Sequence, residues 1–137
     1  MTELEFLCDA CGRPVEDGHG SLYVLFSELH ERRNAMSAWK AASEPGTPRP
    51  AVSLVEALQL PSPAPWHIHH DRCRPRHEGD GYHIDVERIR SWRDLVRWTA
   101  HLMEKNWLGD TNWQVLLGNA ADGRDQRIVE LARGDAA

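Results

Sequence analysis

Cys8-Asp9-Ala10-Cys11-Gly12 and His70-Asp71-Arg72-Cys73 are two stretches with the spacing of metal ligands. In each, two residues separate two metal-binding side chains, so both side chains can point from one tight turn at a single ion. Gly12 suits such a turn because glycine tolerates a positive φ angle. Together the two stretches supply a complete ligand set for tetrahedral zinc, which consists of Cys8, Cys11, His70 and Cys73.

Other uses of these cysteines fit the sequence less well. A redox-active CxxC motif follows a buried strand and opens a helix, whereas Gly12 and Pro14 favour a turn. Disulfides are disfavoured because the number of cysteines is odd and no secretory signal is visible. The spacing leaves one choice open, since His69 could replace His70 as the fourth ligand.

The composition indicates one acidic domain without a membrane segment. The chain has 137 residues, 41% of them hydrophobic, and a net charge of −5, which disfavours a general polyanion binder. No apolar run approaches the roughly 20 residues of a membrane span. The N-terminus is acidic and lacks the basic start of a signal or transit peptide. We therefore expect a single zinc-stabilised domain over 1–137 in the reducing cytoplasm.

The fold class that we predict is α+β, with a small zinc-ribbon or treble-clef-like β unit, a helical insertion and C-terminal helices. Strand formers and turn signals predict two short strands within 4–15 and further strands at 21–26, 66–70 and 82–84. Capping residues and apolar periodicity predict helices over 28–42, 53–60, 92–108, 111–117 and 124–132. Residues 27–64 are the expected insertion between the half-sites, with a loop at 43–50, and residues 85–133 are the helical part.

Two further histidines precede the second half-site. In an extended strand His67 and His69 share one face, while His70 lies on the other. The pair could form a second metal site or supply a general base. We expect instead that both are solvated on an edge strand, because no carboxylate lies at a recognised spacing from them.

An HNH-type nuclease is the catalytic alternative. That chemistry needs a general-base histidine at the end of a strand and an asparagine with metal ligands on a following helix. Asn106 and Asn112 lie more than 35 residues beyond His69, behind a long amphipathic helix. The spacing therefore disfavours this function.

Basic side chains recur along the strongest predicted helix. Residues 72–105 are the net-positive segment of the chain, with eight Arg or Lys and six Asp or Glu. Five basic side chains of this segment follow one another at steps of three or four residues, so they share one face of the helix as a basic ridge. The ridge could contact phosphates or a protein partner. The alternative is an ordinary solvated face. The residues of this candidate partner-binding ridge are Arg90, Arg93, Arg97, His101 and Lys105.

Three motifs together resemble small uncharacterised zinc-binding proteins of actinobacteria and their mobile elements. They are the CDxCGxP stretch from Cys8, the Trp-His-x-x-His-x-x-Cys stretch from Trp66, and the TAHLMEKNWL helix with the Thr-x-Trp that follows. The group has no settled activity. The resemblance therefore implies zinc at the Cys₃His set and transfers no catalytic role.

These observations predict a non-enzymatic intracellular module, a zinc-finger regulator or adaptor. Its expected partner is a protein, with nucleic acid as a weaker second partner, and no motif indicates a small-molecule substrate. The alternative is a metal-dependent nuclease or hydrolase that uses His67 or His69. The coordination of the metal separates the two classes, because a closed Cys₃His site is structural and a site with an open water position is catalytic.

Overall fold

The computed structural model describes residues 3–42, 60–124 and 127–131. Within them the chain forms a small α+β fold with three α-helices and two antiparallel sheets. The strands are β1 (Glu3–Phe6), β2 (Gly20–Leu25), β3 (His67–His70), β4 (Gly81–Asp85) and β5 (Ile128–Leu131), and the α-helices are α1 (Phe26–Ala42), α2 (Trp92–Leu102) and α3 (Trp113–Asp122). Short 3₁₀ helices cover Asp71–Cys73, Val86–Arg88 and Leu108–Asp110.

The larger sheet has the order β3-β2-β4, with β2 buried along its whole length. Alternation along the strands gives this sheet two different faces. One face is apolar and contributes Leu22, Ile68 and Ile84 to the core. On the other face Tyr23 lies between His67 of β3 and His83 of β4 in the strand register.

The smaller sheet joins the two ends of the described chain. Strand β1 pairs antiparallel with β5, so that Phe6 lies opposite Ile128. The other edge of β1 is also paired, because Leu4 N–H donates to Arg90 O and Val15 N–H donates to Phe6 O. Phe6 and Ile128 are both buried.

Helix α2 begins as the capping pattern predicts. Ser91 Oγ accepts a hydrogen bond from Asp94 N–H, which satisfies one of the free donors of the first turn. Leu95 and Leu102 bury one side of the helix in the core. In the described residues no helix is long and apolar enough to cross a membrane.

Several predicted elements are confirmed, and others differ in their ends or type. Of the two strands predicted within 4–15 only β1 forms, and Leu7 and Pro14 make a single bridge in place of the second. The helix predicted over 111–117 covers Trp113–Asp122.

The helix predicted over 92–108 ends at Leu102, and the chain then turns so that Trp107 packs against Trp66 and Tyr82, with ring centroids 6.2 and 5.3 Å apart. The helix predicted over 124–132 is wrong. The described residues there form β5, because Ile128 fills a core position opposite Phe6.

Part of the predicted organisation lies outside the described residues. This holds for the loop at 43–50 and for nearly all of the helix predicted over 53–60. The division into an insertion at 27–64 and a helical part at 85–133 therefore stays a prediction.

Candidate metal centre

The first pair of cysteines lies in a tight turn after β1. Gly12 N–H donates to Cys8 O and Cys8 N–H donates to Arg13 O, at 2.8 and 2.9 Å, which closes the loop between the two thiols. Gly12 has a φ angle of +74°, the conformation expected of it from the sequence. Leu7 and Pro14 bridge the base of this turn.

The second pair lies where β3 ends and the one-turn 3₁₀ helix Asp71–Cys73 begins. His70 is the last residue of β3, and its Nε2 lies 3.0 Å from Pro14 O. A carbonyl oxygen accepts only, so Nε2 carries the proton and Nδ1 carries a lone pair. That lone pair belongs to the nitrogen nearest the cysteines, and such an orienting bond is typical of a metal-binding histidine.

The four predicted ligands come together. Their donor atoms all lie within 4.8 Å of one another, and in the described part of the chain no other set of three or more His, Cys, Asp or Glu does so. His70 Nδ1 lies 3.4 Å from Cys11 Sγ and 3.9 Å from Cys73 Sγ. This cluster could hold a metal ion, and three sulfurs with one imidazole are the ligands that zinc prefers in structural sites. Of the two candidate histidines, His70 lies in this cluster and His69 lies outside it.

The electrostatics of the cluster favour a cation. Burial opposes ionisation of the Cys8 thiol, yet backbone N–H groups of Cys11, His70 and Ala10 outweigh it and lower the pKa of Cys8 to about 6. Burial and the neighbouring Cys8 and Cys11 sulfurs raise the pKa of Cys73. Three thiols this close repel one another once ionised, and a bound cation removes that repulsion.

Asp9, between the two cysteines, holds the first half-site against the second. Its backbone N–H donates to Ile68 O at 2.7 Å, and its carboxylate accepts from Ile68 N–H at 2.9 Å. Arg127 bonds the same carboxylate at 2.9 and 3.0 Å and also donates to Trp66 O. Sequence reasoning missed this brace, because residues 9, 68 and 127 carry no local signal of contact.

His67 and His69 lie on the sheet face opposite His70. The expectation that both are solvated is wrong: His69 is only 9% exposed, and burial lowers its pKa. His67 also has a carboxylate partner that lies at no recognised spacing from it, since Glu28, in the first turn of α1, lies 2.6 Å from His67 Nε2. The contact is tertiary, so sequence spacing could not reveal it.

Tyr23 lies at the centre of this second face. Its hydroxyl donates to Glu78 Oε1 at 2.5 Å and lies 2.8 Å from His69 Nδ1. Arg74 covers the tyrosine ring at 4.7 Å and pairs with Glu78 at 3.0 Å. Burial raises the pKa of Tyr23 far above its usual range and opposes ionisation of Glu78. Hydrogen bonds from Tyr23 and Arg74 to the Glu78 carboxylate outweigh its burial, so the pKa of Glu78 is lowered.

The predicted basic ridge divides into anchored and exposed members. Arg90 bonds Asp17 and Val15 O, at 2.7 and 2.8 Å, and Lys105 lies over the Tyr82 ring at 5.6 Å. The remaining members, Arg93, Arg97 and His101, are exposed along α2.

Comparisons with known proteins add no family to these observations. A scan against protein-family models and searches of curated proteins and solved structures found no significant match. The function must therefore be argued from the metal cluster and the surfaces of this fold.

Proposed function

We propose that this chain is a zinc-stabilised recognition module, a regulator or adaptor that docks an acidic protein partner on the exposed side of α2. Zinc in a ribbon-like or treble-clef-like site supplies stability, and the helix supplies contacts. Arg93, Val96, Arg97, Ala100, His101 and Met103 form the docking surface in this proposal.

The metal cluster supports the structural half of the proposal. Bound to zinc, Cys8, Cys11, His70 and Cys73 would fill all four positions of a tetrahedral ion and would leave no place for a reacting water. Such a site stabilises a fold because the metal binds the folded chain and not the unfolded one. The sequence resemblance to small zinc-binding proteins points to the same ion.

The observation that carries the docking half is an exposed apolar stripe on α2. Val96 and Met103 fit the apolar period of the helix, yet they are 68% and 71% exposed. Ala100 lies between them, at steps of four and three residues, and is also exposed. Exposed apolar side chains that line up on one helix face are typical of protein contact surfaces.

Basic side chains run beside this stripe. Arg93, Arg97 and His101 follow one another at steps of four residues on the adjoining part of the helix. Half-buried Trp98 packs edge-on against His101 and, with Arg97, they line a shallow depression of about 260 Å³. Arginine and tryptophan are the side chains that most often dominate protein interfaces. A partner segment with an apolar side chain flanked by carboxylates complements this surface.

Nucleic acid fits the same surface less well. Phosphate binding uses rows of Lys and Arg and does not require exposed Val and Met. The chain also carries a net charge of −5, which repels a polyanion. We therefore place protein ahead of nucleic acid as the partner.

Peptide display on the zinc-loaded protein tests the proposal. We expect the selected peptides to combine Asp or Glu with an aliphatic or aromatic anchor. In fluorescence anisotropy their binding should fall at least about tenfold with Arg93→Glu plus Arg97→Glu, and separately with Val96→Asp, since buried anchors each contribute more than about 1.4 kcal/mol.

A matched control and two contrary results complete this test. Arg124→Glu changes an exposed arginine outside α2 and should leave peptide affinity unchanged. Peptides that bind the Arg93→Glu, Arg97→Glu double variant as well as the wild type would contradict the docking surface. Metal-dependent cleavage of nucleic acid that is lost in His69→Ala would instead support the hydrolase alternative.

A further inference from the structure

The face of the β3-β2-β4 sheet opposite the core carries a second cluster of titratable side chains. His67 and His69 lie side by side on it, with ring centroids 6.1 Å apart and ring planes inclined by 18°. Each imidazole is bonded at one nitrogen. What the pair can bind depends on the state of the other nitrogen in each ring.

Glu28 fixes the tautomer of His67. The Glu28 carboxylate lies 2.6 Å from Nε2 of His67. A carboxylate accepts hydrogen bonds and does not donate them. Nε2 therefore carries the proton, and Nδ1 of the neutral ring carries a lone pair.

A chain of hydrogen bonds fixes the tautomer of His69. Arg74 pairs with Glu78 at 3.0 Å and keeps that carboxylate ionised, so the single proton of the Tyr23 hydroxyl goes to Glu78. The Tyr23 oxygen must then accept from His69 Nδ1–H across 2.8 Å. The lone pair of His69 is left on Nε2.

Both lone pairs are accessible. Neither His67 Nδ1 nor His69 Nε2 has a hydrogen-bond partner among the described residues. The buried side-chain nitrogens and oxygens without a partner in that part of the chain belong to Arg32, Trp66 and His83 instead. Both free nitrogens therefore keep some contact with solvent, in a His67 side chain that is 23% exposed and a His69 that is 9% exposed.

We propose that His67 Nδ1 and His69 Nε2 bind a first-row divalent transition-metal ion at a second site, with water in the remaining positions. Imidazole nitrogens suit zinc, nickel and copper. A hydrogen bond from the opposite ring nitrogen to a carboxylate or hydroxyl is the arrangement by which proteins orient such ligands. With two protein ligands this site holds its ion more weakly than the Cys₃His cluster does. The proposal does not depend on the docking surface of α2.

Calorimetry and NMR on the full-length protein test the second site. The protein is loaded with one equivalent of zinc and then titrated with Zn²⁺ alone. We expect one further equivalent per chain, together with ¹⁵N shifts of His67 Nδ1 and His69 Nε2. Before the addition, long-range ¹H–¹⁵N spectra should show protons on His67 Nε2 and His69 Nδ1.

Variants separate this site from surface binding and from misfolding. His67→Gln and His69→Gln should each lose the second equivalent and keep the first. Glu28→Gln should weaken the second equivalent by about 10- to 100-fold, because it removes the charge that orients His67. His30→Gln, which changes an exposed histidine on α1, is the matched control and should leave both equivalents unchanged.

Two results would overturn the proposal. One is a wild-type titration that ends at one equivalent of zinc in total. The other is a second equivalent that persists in His67→Gln. His67→Gln and His69→Gln keep all four ligands of the Cys₃His site, so loss of the second site is distinguishable from loss of the first.

Discussion

Asp9 is not one of the four candidate ligands, yet its side chain holds the two halves of the metal cluster in position. It occupies a variable position of the CxxC pattern, yet it accepts from the buried Ile68 N–H and pairs with Arg127. These bonds fix the cysteine turn to β3, the strand that carries His70. The brace therefore positions two halves of the cluster that are 59 positions apart in sequence.

Replacing Asp9 tests this brace. Asp9→Ala leaves the Ile68 N–H without its acceptor, so we expect the free energy of unfolding of the zinc-loaded protein to fall by about 1–3 kcal/mol. Asp9→Asn keeps an acceptor oxygen and should lose less. Urea unfolding measures both changes. Equal stability of the Asp9→Ala variant and the wild type would show that the Asp9 hydrogen bonds do not contribute to the free energy of unfolding.

At the level of residues, the sequence predicts local chemistry and misses tertiary pairs. The four ligands could be named because each half-site is one turn long. The partners of Asp9 and His67 could not be named, since those contacts join residues that are 59 and 39 positions apart. Choosing His70 over His69 required knowing which face of β3 meets the cysteines.

At the level of elements, strands β2 and β3 approach too closely for side chains at some positions. A Cβ added at Gly20 would lie 2.3 Å from His69 O and 2.6 Å from Val15 Cγ1. Gly20 lies opposite His70 in the strand register. This glycine therefore lets β3 bring its last residue to the metal cluster.

A pair of glycine substitutions tests that close approach. Gly20→Ala should destabilise the protein by about 1–3 kcal/mol through overpacking and weaken zinc retention. Gly118→Ala, at an exposed position of α3, meets nothing within 4 Å and should stabilise by about 0.5–1 kcal/mol through helix propensity. Thermal unfolding of the two variants provides the comparison. If Gly20→Ala leaves the melting temperature and the zinc content unchanged, β2 and β3 do not approach closely enough at Gly20 to exclude a side chain.

Element type was predictable where periodicity or capping was strong, and element ends were not. Ser91 correctly predicts where α2 begins. The helix ends at Leu102 in a fold where Trp107 packs against Trp66 and Tyr82, and these contacts have no local sequence signal. Val96 and Met103 fit the apolar period of α2 and yet face outward. Periodicity shows which residues share a face, and only packing shows how wide the buried part of that face is.

At the level of the whole molecule, the metal cluster joins parts of the chain that otherwise share a modest core. Its ligands come from the turn after β1, the end of β3 and the 3₁₀ helix that follows. We propose that a metal ion bound at this cluster stabilises the fold. Cys11 offers a direct test because it is the exposed ligand of the four.

The decisive measurement is the zinc content and melting temperature of Cys11→Ser beside Ala10→Ser, an exposed change in the same turn. Exposed substitutions usually alter stability by no more than about 0.5 kcal/mol, so Ala10→Ser should keep its zinc and melt like the wild type. Cys11→Ser should lose zinc and melt far lower, as the wild type should after chelation, because metal binding is coupled to folding. If Cys11→Ser melts like Ala10→Ser and chelation leaves the wild-type melting temperature unchanged, the metal does not hold this fold together.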